Sequence, residues 1–514
     1  MAKKIMKVLT SRALILGLEL LVSIFFVYFV YQLNILPTKY LIAVGGILVA
    51  LILIFFGIIQ SGKKKEKRQG KTTKRAIITK ILSILVSIML LVATPYVTRA
   101  NSFFSNVTGD GSQKYVVSVI VLNSGKYKNA TLKKLDGKKF GVSYEKETTV
   151  LTKGLGKLEE DIGEQKYTKV DTYAKLADSL YNGDVDAIVV GEQYRSMLET
   201  NHEGFDEETR VVKSYSFAKK TTSTTARTDV TENAFSVYIT GLDTYGDVST
   251  VSRSDVNLIV TVNPKTRQVL MVSIPRDTQI NLHKNGKMDK LTHTGIYGTD
   301  ETINTIEDFL NVKINYYAKT NFQGITNIVD AMGGITVKSD VAFTTRHGNY
   351  SIVKGENEMD GDKALCFVRE RYNLPNGDFD RGKNQQKLLK ALLEKAMSPA
   401  ILNNYENILS AVEGSFQTDM SSSEIKSLIQ MQLNDGSAWT FNNVQIQGEG
   451  YRTSETYSMS GTSIYVMKPY KSQVKKVISL IDKVEKGEKV TKADVKNAGT
   501  YTNSDSSSSN DSDE

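Results

Sequence analysis

Cysteine and histidine are nearly missing from this 514-residue chain, which has one of the first and four of the second. A single thiol, Cys366, cannot close an internal disulfide, and its setting in the apolar run ALCFV reads as a core position. The histidines, His202, His283, His293 and His347, show no metal-ligand spacing, which argues against a zinc site. No small-residue cleavage site follows the first apolar run, so that run is not read as a signal peptide. A helix-turn-helix with a basic recognition face is also missing, and nucleic acid is not an expected partner. The formal charge of +9 does not alter this, because most of it lies in the N-terminus and one loop.

Three long apolar runs are present, at 13–31, 40–59 and 81–97, each near the roughly 20 residues that cross a bilayer. Glu19 interrupts the first. A carboxylate in hydrocarbon costs a few kcal/mol unless it faces another helix, so helix packing is its expected role. Lys3, Lys4, Lys7 and Arg12 precede the first run, and nine lysines and arginines crowd the loop 62–80 before the third. The excess of positive charge puts both segments in the cytoplasm. The loop also suits contact with anionic lipid, though topology alone accounts for it. Residues 32–39 then form a short outer turn, and everything after about residue 98 lies outside. A large exported region without disulfides fits a Gram-positive surface.

The fold class expected is α/β: a membrane anchor at 1–100, a small exported accessory domain at 101–225, a larger α/β/α domain with a central mixed sheet at 229–486, and a polar, disordered tail at 487–514. In the accessory domain, YVVSVIVL, KKFGVSY, a helix near 172–181, AIVVG and RVVKSYSFA suggest a parallel sheet. In the larger domain, FSVYITGLD, SDVNLIVTVNP and VLMVSIPRD read as three successive strands. With the middle one antiparallel, Asp243, Arg253, Asp255, Arg276 and Asp277 all meet at one sheet edge, where such sheets hold ligands. Helices are expected at about 301–310, over QGITNIVDAMGG, and at 385–397.

The chemistry concentrates in FVRERYNLPNGDFDRGKNQQ, residues 367–386, where Arg369, Arg371, Arg381 and Lys383 surround Glu370, Asp378 and Asp380. Alternation on a strand puts Phe367, Arg369 and Arg371 on one face. Converging guanidiniums match phosphate oxygens in pairs, which suits a pyrophosphate. A lone RER triplet also suits a salt-bridged strand end. Asp243 and Asp255 offer the hard oxygens that a magnesium ion on a diphosphate uses, although either aspartate alone also suits a turn.

Six ordered motifs, SVYITGLDT, SRSDVNLIVTVNP, VLMVSIPRDTQI, DKLTHTGIYG, NFQGITNIVDAMGGI and FVRERYNLPNGDFDRGKNQQ, resemble the LytR-CpsA-Psr proteins of Gram-positive cell walls, over roughly 231–486. The three apolar runs and the accessory domain resemble the capsule-associated branch. Asn384 stands where many members carry another arginine. The resemblance implies an extracellular phosphotransferase that moves a glycopolymer, capsular polysaccharide being the first expectation, from an undecaprenyl pyrophosphate carrier to peptidoglycan. It implies magnesium (or manganese) on Asp243 and Asp255, and a pyrophosphate held by Arg276, Arg369, Arg371 and Arg381. Arg253, Lys290 and Gln385 are implied supporting contacts, and Asp378 is the candidate base, with Arg381 and Arg371 completing the catalytic group. A carboxylate crowded by cations is a weak base unless a bound diphosphate offsets them. The faces of INTIEDFL and ITNIVDAM would line an apolar tunnel for the polyprenyl chain, or else pack the core. Partners implied are the plasma membrane and capsule or exopolysaccharide assembly proteins. A polyprenyl-pyrophosphate-binding regulator without turnover, or a hydrolase releasing the polymer, are the alternatives.

Overall fold

The computed structural model of the chain describes residues 11–69, 74–107, 113–146, 148–202, 204–219, 227–242, 247–396, 408, 411 and 415–499. The chain divides into two compact units, one of Met1–Val107 with Ser421–Ala438 and one of Thr108–Met420 with Trp439–Glu514.

The first unit holds α1 (Arg12–Leu33), α2 (Thr38–Gln69) and α3 (Lys74–Val107), each containing a stretch long and apolar enough to cross a membrane. Val22, Leu48 and Leu90 bring one residue from each helix into a shared apolar cluster. Glu19 is buried and accepts a hydrogen bond from Ser83 Oγ at 2.5 Å, which joins α1 to α3. A helix far along the chain, Ser422–Asp435, belongs to this unit: Gln430 Nε2 donates to Asn34 O at 3.0 Å, and Lys39 Nζ donates to Asn434 O at 2.8 Å. Its contacts are therefore with the turn between α1 and α2, which nothing in the sequence pattern announced.

The second unit begins with a five-stranded sheet: β1 (Gln113–Leu122), β2 (Lys139–Ser143), β3 (Lys166–Val170), β4 (Ala187–Gly191) and β5 (Thr209–Lys219), in the order β3-β2-β4-β1-β5. The expected parallel sheet is found only in β3-β2-β4, since β1 runs antiparallel to both of its neighbours. Period-2 alternation in β1 sends Val117, Val119 and Val121 towards α4 (Thr149–Ile162) and Ile120 towards α5 (Tyr173–Tyr181).

The larger sheet contains β6 (Phe235–Leu242), β7 (Val256–Asn263), β8 (Gln268–Ser273), β9 (Tyr316–Asn321), β10 (Phe416–Thr418) and β11 (Thr440–Gln445), in the order β10-β9-β6-β7-β8-β11. It is mixed, with β9 parallel to β6 and β11 parallel to β8. On one face Tyr238, Ile259, Leu270 and Val272 pack against α6 (Thr299–Leu310) and α10 (Lys471–Glu485). The other face carries Val260, Val269 and Met271 against Leu389 of α9 (Asp378–Ala396). Beside α9, α7 (Phe322–Ala331) and α8 (Gly361–Arg369) share a cluster built on Val329, Ala364, Phe367 and Leu388. The α/β/α layering expected from the sequence is thus present.

Four expectations need correction. The stretch before Arg371 is a helix, not a strand: the Asp360 side chain caps α8 by accepting from Lys363 N, and Leu365 and Val368 are buried on its inner face. Helix α9 begins at Asp378 rather than 385, so the acidic and basic residues of this stretch occupy its first turns. The expected tail includes an ordered helix, α11 (Lys492–Ala498), whose Ala498 joins the main core; residues from 500 lie outside those described. In INTIEDFL, Ile303, Ile306 and Leu310 are buried in that same core, so the core role holds there, while Cys366 is only half-buried.

Candidate functional site

Strands β6 and β8 run parallel with β7 antiparallel between them, which brings the C-terminal ends of β6, β8 and β9 and the N-terminal end of β7 to one edge. Asp243, just past β6, lies outside the described residues. At the entry to β7, Asp255 accepts from Arg276 Nη1 at 2.8 Å, and Arg253 Nη2 is 3.8 Å from its other oxygen. Burial alone would push the Asp255 carboxyl up, but Arg253, Arg276 and Arg381 hold it well below the usual carboxylate range. Burial likewise opposes the charge on Arg276, yet Asp255, Asp277 and Asp378 raise its guanidinium above its ordinary value. Lys290, expected as a phosphate contact, donates instead to Asp277 at 2.9 Å.

Helix α9 delivers the second group. Its register on the sheet is fixed by Gln386 Nε2, which donates to Met271 O at 3.1 Å and Val444 O at 2.8 Å. Gly382 allows that approach, since a Cβ there would meet Gln445 Nε2 at 2.3 Å and Ser273 Oγ at 3.0 Å. One residue earlier, Arg381 is nearly buried and its Nη2 lies 2.5 Å from Asp378 Oδ1, an ion pair without hydrogen-bond geometry. Burial, then Arg276, push the Arg381 guanidinium below its ordinary value; Asp378 and Asp255 oppose this, and Arg371 adds to it. Gln385 sits half-buried one turn on from Arg381, on the same helix face, whereas Asn384 is buried.

The remaining two arginines are held by aromatic rings. Arg369 ends α8 with its guanidinium 4.1 Å from the centre of the Phe322 ring, which follows β9 at the same sheet edge. Arg371 lies 4.5 Å over Tyr372 and donates to its hydroxyl. Among the described residues no carboxylate forms an ion pair with either of them.

Several supporting contacts escaped the sequence reading. Glu370 is 3% exposed and accepts from the amides of Arg371, Tyr372 and Asn373 at 2.9, 2.8 and 3.0 Å, and from that of Arg346. One carboxylate thereby folds the loop that presents Arg371, and those amides hold its carboxyl low against the effect of burial. Buried Asp289 accepts from Ser458 N at 2.9 Å and faces His293 Nδ1 at 2.6 Å, fastening the DKLTHTG segment. The accessory sheet also reaches the site: Lys114 N of β1 donates to Ser249 O, and Val251 N donates to Lys114 O, both at 2.9 Å. That pair clamps the backbone two residues before Arg253. No spacing rule marks contacts so distant in sequence.

A divalent cation fits Asp255 in one respect: its Oδ2 is buried and accepts no hydrogen bond, leaving an oxygen free to ligate. Asp243, the other ligand expected, is not among the described residues, within which no three acidic, histidine or cysteine side chains converge.

Comparison with known proteins gives the LytR-CpsA-Psr family model a match over residues 198–478, more than half of the chain. The chain is 37% identical over 197 residues to the polyisoprenyl-teichoic acid–peptidoglycan teichoic acid transferase TagU of Enterococcus faecalis, covering 38% of this chain and 64% of that one, a little under two thirds of its length. It is 35% identical over 222 residues to the Bacillus anthracis protein of that name, covering 43% and 71%. The crystal structure of B. subtilis TagU aligns with 51% of this chain and 100% of its own, at 29% identity and a TM-score of 0.39.

Proposed function

The chain belongs to the LytR-CpsA-Psr family, and from that premise we propose that it is a membrane-anchored phosphotransferase that moves a glycopolymer from an undecaprenyl pyrophosphate carrier to peptidoglycan outside the cell. One observation carries the reading. Arg276 and Arg381 are both nearly buried at this edge, and the charges of Arg276 and Arg371 both lower the proton affinity of Arg381. Crowded like charges of this kind are relieved by a polyanion, and a diphosphate supplies the required charge and spaced oxygens.

In the proposed reaction the oxygen of a peptidoglycan sugar hydroxyl bonds to the phosphorus that carries the polymer. The bond from that phosphorus to the bridging oxygen breaks, and undecaprenyl monophosphate leaves with the electron pair. The hydroxyl proton passes to Asp378 or to solvent. Arg276 and Arg381 hold the diphosphate, Arg369 and Arg371 close on it from the α8 end, and Arg253 and Gln385 support them. Charge stabilisation and alignment are the main terms in such a transfer. Asp255, with Asp243, would hold magnesium or manganese, whose chemistry when bound is to neutralise charge on the leaving phosphate. Lys290 acts one step removed, through Asp277 beside Arg276. Half-buried Ile325 on α7 remains a candidate for the polyprenyl chain.

The polymer we propose is capsular polysaccharide, on the three apolar helices and accessory sheet that resemble the capsule-associated branch; teichoic acid, named for the relatives, is the competitor. The test gives the full-length protein both lipid-linked donors with peptidoglycan fragments and magnesium, and follows products by mass spectrometry. Phosphodiester-linked capsular glycan on peptidoglycan is expected. Transfer from the teichoic acid donor alone would replace the polymer, polymer released whatever the acceptor would make the protein a hydrolase, and tight binding without product would make it a regulator.

A further inference from the structure

Outside the three apolar helices, only a few large apolar side chains are well exposed among the described residues, and Tyr465, at 41%, is one of them. It stands on β13 (Ile464–Pro469), paired antiparallel with β12 (Gly448–Thr453). The hairpin is stitched to the segment just after Arg276: Met467 N donates to Asp277 O at 2.8 Å, and Tyr451 Oη donates to Gln279 Oε1 at 2.9 Å. The hydroxyl end of the Tyr465 ring packs over Gly450 of the neighbouring strand, where a Cβ would meet its hydroxyl at 2.3 Å and its ring at 2.6 Å. Directly opposite Tyr465 on the same face is Arg452, whose Nη2 donates to Ser463 O at 2.6 Å. Burial first, and then the charges of Asp277 and Asp378, push the Tyr465 phenol up, so the ring lies within the field of the candidate base.

We infer that Tyr465 and Arg452 form the subsite for the acceptor, a neutral saccharide of the glycan strand whose apolar ring face stacks on Tyr465 while its hydroxyls meet the phenol and the guanidinium. The inference rests on the transferase reading and deepens it. An aromatic ring packed over glycine, 41% exposed and paired with an arginine across the hairpin, suits the C–H face and hydroxyl edge of a pyranose. The side of the site is fixed by chemistry. The donor diphosphate occupies the guanidiniums, and the attacking hydroxyl must arrive where Asp378 can take its proton.

The test uses the full-length protein with the lipid-linked donor and, as acceptor, an uncrosslinked glycan fragment of alternating N-acetylglucosamine and N-acetylmuramic acid. Tyr465→Ala is expected to raise the acceptor KM about ten-fold and Tyr465→Phe to restore most of it, with the donor Kd unchanged within about two-fold. Arg452→Gln, on an exposed strand, raises the acceptor KM without endangering the fold. A backing role for Gly450 alone would lower the Tm of Tyr465→Ala and leave KM alone. Wild-type acceptor KM in both Tyr465→Ala and Arg452→Gln overturns the subsite while transfer itself stands. If the wild type transfers to no acceptor, the transferase reading falls and the subsite with it.

Discussion

At Arg381 the balance of charges makes a separable statement about binding and stability. Its guanidinium is held below its ordinary value by burial and by Arg276, so its charge is a net cost in the empty fold. Arg381→Gln should therefore leave the Tm of the ligand-free protein unchanged or higher. The same change should weaken donor binding by about 10- to 100-fold, the worth of roughly 1.5–3 kcal/mol for hydrogen bonds to a charged group, and abolish the Tm increase that donor produces. Calorimetry with and without undecaprenyl pyrophosphate checks both. Lys319 makes a pH statement. It is 2% exposed, donates to Thr250 O at 3.0 Å and borders a cavity of about 10 Å³, lined also by Gln113, Tyr238 and Thr240, which has room for one water. Burial, opposed by Asp247 and aided by Lys219, pushes its ammonium down to about 7. The unfolded chain then binds the extra proton between about pH 7 and the ordinary lysine value, so stability rises with pH across that window. Lys319→Met should raise Tm at pH 6 by the equivalent of about 1–3 kcal/mol and much less at pH 9; equal gains at both would contradict it.

Among the elements, the loop after α8 and the edge of β1 bear on the site most directly. Glu370→Gln should loosen the four amides that one carboxylate gathers, lowering Tm by about 1–3 kcal/mol equivalent and weakening donor binding through Arg371; hydrogen exchange at residues 371–373 reports the loosening. Lys114→Pro removes the N–H that grips Ser249 O and should speed exchange at 249–255 and weaken magnesium-dependent binding, with the larger sheet still protected. The strands β6 to β9 were legible because alternation and β-branched residues mark them and turn residues bound them. Helix α8 was not, because ALCFV is short enough to serve as strand or helix; the cap at Asp360 and the apolar spacing at 364, 365 and 368 were the signals available. Helix α4 was missed for its two glycines and low apolar content, although Leu151, Leu155 and Leu158 keep helical spacing. The clustering of the arginines was legible from composition alone, and their role as an anion site is the proposal made above. Their partners, Phe322 for Arg369 and Asp277 for Lys290, come from separate motifs and depend on tertiary packing.

The whole molecule combines a helical unit fit to span a membrane with a two-sheet unit that carries the charged site. The excess of positive charge leads us to propose that residues 62–80 face the cytoplasm and that the turn before Thr38, which contacts the helix Ser422–Asp435, faces outside. Single cysteines introduced at Lys65 and at Ser437 in a Cys366→Ser background should be protected from and open to a membrane-impermeant thiol reagent on intact cells, respectively; the reverse pattern would invert the topology. In the proposed orientation the site lies outside the membrane, as the proposed reaction with a polyprenyl-linked donor requires. The most direct measurement is single-turnover transfer by the full-length protein from an undecaprenyl pyrophosphate glycan to peptidoglycan fragments, with wild type, Arg371→Ala and Asp255→Ala, with and without chelator. Phosphodiester-linked product is expected from wild type with magnesium, and neither from wild type with chelator nor from either variant. Product that persists in both variants would contradict the account, because the guanidinium and carboxylate cluster would then not be where the phosphorus changes partners.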